Sequence, residues 1–139
     1  QKLLQNEKIN KLTNFETFEK FAKRIVENKN DLVGLLKKLK LKNKKIVGIG
    51  APARSSTILN YCDIDSDILD YITEKGELKI GKYTPGTHIK VVDDKFLIQE
   101  QPDYALVLSW HLKDSIIPKI RKDGFLGKFI MPLPTVKIL

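Results

Sequence analysis

The stretch Lys44-Lys45-Ile46-Val47-Gly48-Ile49-Gly50-Ala51-Pro52-Ala53 decides the fold. An apolar run ended by glycines is typical of a buried strand, and Pro52 suits a first helical turn because its missing N–H is not needed there. Glycines let the backbone approach a ligand, and a helix start offers unpaired N–H groups to an anion. The stretch predicts a strand, a tight turn and a helix near a ligand, without separating NAD, a nucleotide sugar and coenzyme A.

Apolar segments and helical patterns alternate along the rest of the chain. Strands are expected at about 68–73, 89–92, 104–109, 128–131 and 136–139, and helices at about 53–61, 93–100 and 112–122. This alternation predicts an α/β fold, a Rossmann-like three-layer sandwich with a mainly parallel sheet. Ligands of such sheets bind beyond the carboxyl ends of the strands. Three segments are expected to meet there: Gly48–Arg54, Glu74–His88 and Ser109–Lys113.

A long helix is expected before this sheet. Thr13 and Glu16 have the spacing of a capping box, and apolar residues recur at helical spacing over residues 15–40. The pattern divides the chain into an N-terminal helical segment, 1–42, which links to an upstream domain, and a Rossmann-like domain, 43–139. One apolar stripe should face the sheet domain or a neighbouring domain: Phe15, Phe18, Ile25, Leu32, Leu36 and Leu39.

Length and composition exclude several classes of protein. With 139 residues, 42% hydrophobic and 30% charged, the chain suits one globular domain. No apolar run approaches the roughly 18 residues of a membrane span, and no secretory signal is evident, so we expect a cytoplasmic protein without a membrane partner. The lone Cys62 excludes an internal disulfide. Because the chain starts at Gln1 and its only methionine is Met131, we expect a piece of a longer protein.

The charge is unevenly distributed. Residues 1–45 carry thirteen Lys or Arg and five Asp or Glu, which accounts for the whole net charge of +8. A basic chain raises the hypothesis that the protein binds nucleic acid. However, the lysines are spread around a helical pattern and no aromatic platform alternates with them. A solvated lysine-rich face is favoured over a nucleic-acid partner.

Several side chains outside the glycine turn are candidates for ligand contact. Arg54 offers donors suited to phosphate, the loop with Lys79, Tyr83 and His88 could wrap a polar ligand, and Trp110-His111 follows a strand, where an aromatic ring can stack on a base or sugar. The alternatives are a solvated loop and a cap on the core. The two histidines have no partners at metal-ligand spacing, so no metal site is expected.

A dinucleotide reading also stays open. It requires an acidic residue at the end of the second strand, about 20 residues after the glycines. Glu74 stands 21 positions after Ala53, which meets this requirement weakly.

Several motifs together resemble one family. In order, they are Gly48-Ile49-Gly50-Ala51-Pro52-Ala53-Arg54, Asn60-Tyr61-Cys62, Lys79-Ile80-Gly81-Lys82-Tyr83-Thr84-Pro85-Gly86-Thr87-His88-Ile89, Pro102-Asp103-Tyr104, Trp110 and Pro132-Leu133-Pro134. This set resembles the C-terminal domain of the S-adenosylmethionine-dependent sugar C-methyltransferases, over about residues 15–135. Two departures are Arg54, where the family usually has Lys, and His111, where it usually has Asn.

The resemblance implies a larger enzyme that methylates a carbon of a nucleotide-linked deoxysugar. Zinc and S-adenosylmethionine would be bound by upstream domains, and the catalytic segment would also lie upstream. The chain as given should hold no cofactor and no catalytic residue, and should not transfer methyl groups alone. It would supply part of the nucleotide-sugar pocket, facing the methyl-donor domain. The alternative is a stand-alone nucleotide- or NAD-binding module. The resemblance implies these substrate-binding residues: Gly48, Gly50, Ala51, Pro52, Arg54, Lys79, Tyr83, His88, Trp110 and His111.

Overall fold

A computed structural model describes residues 2–139. The helices are α1 (Lys2–Ile9), α2 (Phe15–Lys40), α3 (Ala53–Tyr61), α4 (Lys95–Glu100) and α5 (Lys113–Lys122), the last preceded by a 3-10 turn at Trp110–Leu112. The strands are β1 (Ile46–Ile49), β2 (Ile72–Glu74), β3 (Val91–Asp93), β4 (Tyr104–Val107), β5 (Lys128–Met131) and β6 (Lys137–Ile138).

The six strands form one sheet in the order β3-β2-β1-β4-β5-β6. The first five are parallel, and β6 pairs antiparallel with β5. Gly48 of β1 is in register with Ile72 of β2 on one side and with Leu106 of β4 on the other. The strand order reverses between β1 and β4, which is where such sheets place a ligand crevice. The predicted mainly parallel α/β fold is confirmed.

Alternating side chains of the strands pack into two separate cores. Ile46 of β1 belongs to a buried cluster with Leu36 of α2 and Leu59 of α3. Val47, one residue later, belongs to a cluster on the opposite face with Ile120 of α5. Because successive strand residues point to opposite faces, the parallel sheet is covered on both. The result is the predicted three-layer sandwich.

Helix α2 covers the predicted residues but is buried over its C-terminal half alone. Its buried residues are Leu32, Leu36 and Leu39, whereas Phe15 is 75% exposed and Phe18 is 56% exposed. Of the two surfaces expected to cover the stripe, the sheet domain covers its second half, and the first half extends past the edge of the core. Contact of that half with a neighbouring domain, and the division at residue 42, stay predictions.

Local details at the start of α2 and at β2 also differ from the predictions. The N-cap of α2 is Asn14, whose side chain makes no capping hydrogen bond, so the prediction of a capping box is wrong. The short helix α1 was not predicted. Strand β2 begins only at Ile72 because residues 66–68 form a turn, which is closed by a hydrogen bond from the Leu69 amide to the carbonyl of Asp65. Within residues 2–139, no helix combines the length and apolar character needed to cross a membrane.

Candidate functional site

A cleft of about 440 Å³ opens beyond the carboxyl ends of β1, β2 and β4. It lies at the point where the strand order reverses, and all three predicted segments contribute to it. Its lining has an apolar part, here called the floor, and a polar and charged part, here called the rim. The apolar residues are Ile49, Pro52, Leu112, Ile116 and Ile120; the polar and charged ones are Gly50, Glu74, Lys75, Lys79, Asp94, Ser109, Ser115 and Lys119.

Gly50 makes the turn at the edge of the cleft. Its φ is +79°, in the left-handed region that favours glycine, and an added Cβ would lie 2.4 Å from the hydroxyl oxygen of Ser109. The turn therefore brings the ends of β1 and β4 together at the cleft.

Gly48 has a different role from Gly50. An added Cβ there would lie 2.8 Å from Ile72 and 2.9 Å from Leu108, both buried in the core. Gly48 thus allows close packing inside the sheet, away from the cleft lining.

Glu74, at the end of β2, closes over the glycine turn. Its Oε2 accepts from the amide of Ala51 at 3.0 Å, and its Oε1 accepts from the amides of Lys75 and Gly76. Burial of Glu74 opposes its ionisation, but bonds from these backbone amides and from Lys79 lower the pKa of the carboxyl below its usual range. Both oxygens of this carboxylate are therefore bound within the protein.

Lys79 reaches the same turn from the loop after β2. Its Nζ donates to the carbonyl of Ala51 at 2.9 Å and lies 3.3 Å from Oε2 of Glu74. The predicted residues Gly50, Pro52 and Lys79 thus meet in the cleft, with Ala51 between them. The backbone amide of Ala51 is bonded to Glu74, and its carbonyl is bonded to Lys79.

Helix α3 begins beside the cleft with Pro52 as its N-cap. The amides of Ala53 and Arg54 lie in its first turn, where a helix provides no internal acceptor. Ser55 is buried and donates through both its amide and its hydroxyl to the carbonyl of Pro52. The Arg54 side chain is exposed and lies outside the cleft lining.

Tyr83 and His88 belong to a compact turn that docks on α3. The hydroxyls of Thr84 and Thr87, both buried, hydrogen-bond each other at 2.7 Å. Gly86, with a φ of +81°, leaves room for Asn60 of α3, whose side chain donates to the carbonyl of Pro85. Their segment is therefore more structured than the open polar loop expected from sequence. Both predicted side chains are exposed and outside the cleft lining.

Trp110 caps both cores at the end of β4. Its half-buried ring packs against the buried clusters on the two faces of the sheet and makes an edge contact with His111, with ring centroids 6.2 Å apart. His111 is exposed. Neither residue lines the cleft. The packing of Trp110 agrees with the core-cap alternative, and ligand contact by either residue stays a prediction.

The rim contains charged residues that sequence reasoning missed. Lys75 Nζ lies 3.8 Å from Oδ2 of Asp94. Burial raises the pKa of the Asp94 carboxyl, and Lys75 opposes that rise. The neighbouring ammonium of Lys75 lowers the pKa of Lys119. For Lys119 the available signal was its spacing from Ser115 and Ile116, which places the three on one face of α5.

Within residues 2–139, no three His, Cys, Asp or Glu side chains group so that they could hold a metal ion. The resemblance implies zinc in an upstream domain, and this stays a prediction.

Comparison with known proteins identifies the family. The family described as "C-methyltransferase C-terminal domain" matches residues 1–134. The chain is also similar to the C-methyltransferase NovU of Streptomyces niveus, at 29% identity over 99 residues. This alignment covers 69% of the chain and 23% of the relative, so the chain spans under a quarter of that protein. Because the family model matches almost the whole length of this chain, the chain belongs to the family of C-methyltransferase C-terminal domains.

Proposed function

We propose that this domain binds the nucleotide-linked sugar substrate of a sugar C-methyltransferase, in the cleft beside Gly50. The observation that carries the proposal is the cleft itself, at the point where the sheet order reverses. Its volume of about 440 Å³ falls in the range of small-molecule pockets. Its apolar floor suits the faces of a base or sugar, and its lysine rim suits a diphosphate.

The charge of the rim favours an anionic ligand over the methyl donor. Three lysines and two carboxylates line the cleft, and both oxygens of one carboxylate, that of Glu74, are bound by the protein. A sulfonium cation would meet repulsion from the ammonium groups. We therefore assign S-adenosylmethionine to the upstream methyl-donor domain that the family resemblance implies, where the base that activates the sugar carbon would also lie.

The hydrogen bonds that Glu74 already makes within the protein disfavour the NAD-binding alternative. A dinucleotide site uses the acidic residue after its second strand to bind ribose hydroxyls. Here the Glu74 oxygens already accept from Ala51, Lys75 and Gly76. NAD would have to break these bonds, so nucleotide sugars should bind more tightly than NAD.

The test is calorimetric titration with thymidine and uridine diphosphate sugars, on the wild-type chain and on Ser115→Trp. Ser115 lines the cleft from α5, so an indole there should fill it and weaken binding at least tenfold. Lys122→Trp is the matched control, because this exposed residue of the same helix lies outside the cleft lining. Equal binding by Ser115→Trp and wild type, or a preference for NAD over every nucleotide sugar, would refute the proposal.

A further inference from the structure

The Glu74 carboxylate already occupies the place at the glycine turn where an anionic ligand would bind. In a Rossmann-like fold the amides after the first strand receive the ligand's phosphates. Here the Ala51 amide donates to Glu74 at 3.0 Å, and Lys79 contacts both of these residues. A diphosphate arriving at the Ala51 amide would have to displace the Glu74 carboxylate, which exchanges one anion for another and deprives Glu74 of its bonds with Ala51 and Lys79.

Two further lysines of the cleft lining lie near each other, with the carboxylates of Asp94 and Asp123 as the nearby counter-charges. Lys75 follows β2 and Lys119 lies on α5, and both line the cleft. The Lys75 ammonium is close enough to lower the pKa of Lys119. The nearby carboxylate, Asp94, lies 3.8 Å from Lys75, which is too long for a direct hydrogen bond. Within residues 2–139, neither of these two lysines has a carboxylate oxygen at hydrogen-bond distance.

We infer that Lys75 and Lys119, rather than the amides of the glycine turn, bind the diphosphate of the ligand. The inference rests on the proposed function and deepens it. Phosphate oxygens between the two ammonium groups would accept charge-assisted hydrogen bonds from both and replace their mutual repulsion by attraction. The base or sugar then lies over the neighbouring apolar floor formed by Leu112, Ile116 and Ile120.

The test compares the two placements of the diphosphate by substitution. Kd values for uridine diphosphate and for inorganic pyrophosphate are measured on wild type, Lys75→Gln, Lys119→Gln and Arg54→Ala. Each glutamine variant should bind at least tenfold more weakly, and Arg54→Ala should stay within threefold of wild type. Lys119→Arg keeps the charge and should retain most of the affinity. Lys122→Gln, on the same helix but outside the cleft lining, should match wild type.

A second readout separates ligand contact from a structural effect. Pyrophosphate should raise the pKa of the Lys119 ammonium, measured by NMR of the side chain, because a bound anion favours the charged form. An unchanged Lys119 pKa at saturation would overturn the inference.

The inference and the proposed function can fail separately. If Arg54→Ala weakens uridine diphosphate binding while both glutamine variants retain it, the diphosphate lies at α3, and the inference is wrong although the cleft still binds nucleotides. If pyrophosphate binding requires both lysines but no nucleotide sugar binds, the inferred anion site is supported and the proposed function is wrong. If neither probe binds the wild-type chain, both are wrong.

Discussion

At the scale of single residues, Gly50 connects the fold to the cleft. A methyl group there would lie 2.4 Å from the Ser109 hydroxyl, in a backbone with a φ of +79°. We expect Gly50→Ala to lower the free energy of unfolding by about 2–4 kcal/mol, from backbone strain and overpacking together. Urea denaturation measures the change.

Gly34 provides the matched control for that substitution. An added Cβ there meets nothing within 4 Å, in the middle of α2, so Gly34→Ala should stabilise the chain by about 0.5–1 kcal/mol. Adding Ser109→Gly to Gly50→Ala should recover part of the loss, because it removes the clash but leaves the strain. A Gly50→Ala chain as stable as wild type would contradict this reading of the turn.

Glu74 should make the stability of the chain depend on pH in the acid range. Its bonds with the backbone lower the pKa of the folded carboxyl, whereas an unfolded Glu titrates at about 4.3. The stabilisation is therefore fully present above that value and is lost as the pH falls through the lower pKa of the folded state. Relative to Glu74→Gln, wild type should be about 1–3 kcal/mol more stable at pH 7.

That advantage should shrink below about pH 4. The free energy of unfolding is measured from pH 3 to 7 on wild type and Glu74→Gln. The difference between the two isolates the contribution of Glu74, because the other carboxyls are present in both proteins. Glu77→Gln, at an exposed residue of the same loop, should leave the profile unchanged. A constant difference between wild type and Glu74→Gln across this range would show that the Glu74 charge does not hold the turn.

At the scale of elements, the two halves of α2 should differ in their contribution to stability. Leu36 is fully buried, whereas Phe18 is more than half exposed. Leu36→Ala should lower the free energy of unfolding by about 2–5 kcal/mol through cavity formation, and Phe18→Ala should change it by at most about 0.5 kcal/mol. Thermal and urea unfolding measure both. Equal losses would mean that the first half of the helix packs against this domain.

The elements also show how far sequence reasoning reaches. The β1–turn–α3 unit was predictable because its apolar run, its glycines and Pro52 act on their immediate neighbours. The start of β2 was not, since Ile68 and Leu69 are apolar and buried whether they form a strand or a turn. The rim cluster of Lys75, Asp94 and Lys119 joins residues far apart in the chain, so no local spacing reveals it.

For the whole molecule, the central claim is that the ligand binds at the carboxyl edge of the sheet. The most direct measurement follows backbone amide shifts by NMR during titration with a uridine or thymidine diphosphate sugar. We expect the largest shifts at Gly50–Arg54, Glu74–Lys79 and Ser109–Leu112, around the cleft. Shifts confined to the opposite edge, at Lys44, Asp103 and Lys128, or to the groove beside Cys62, would contradict the claim.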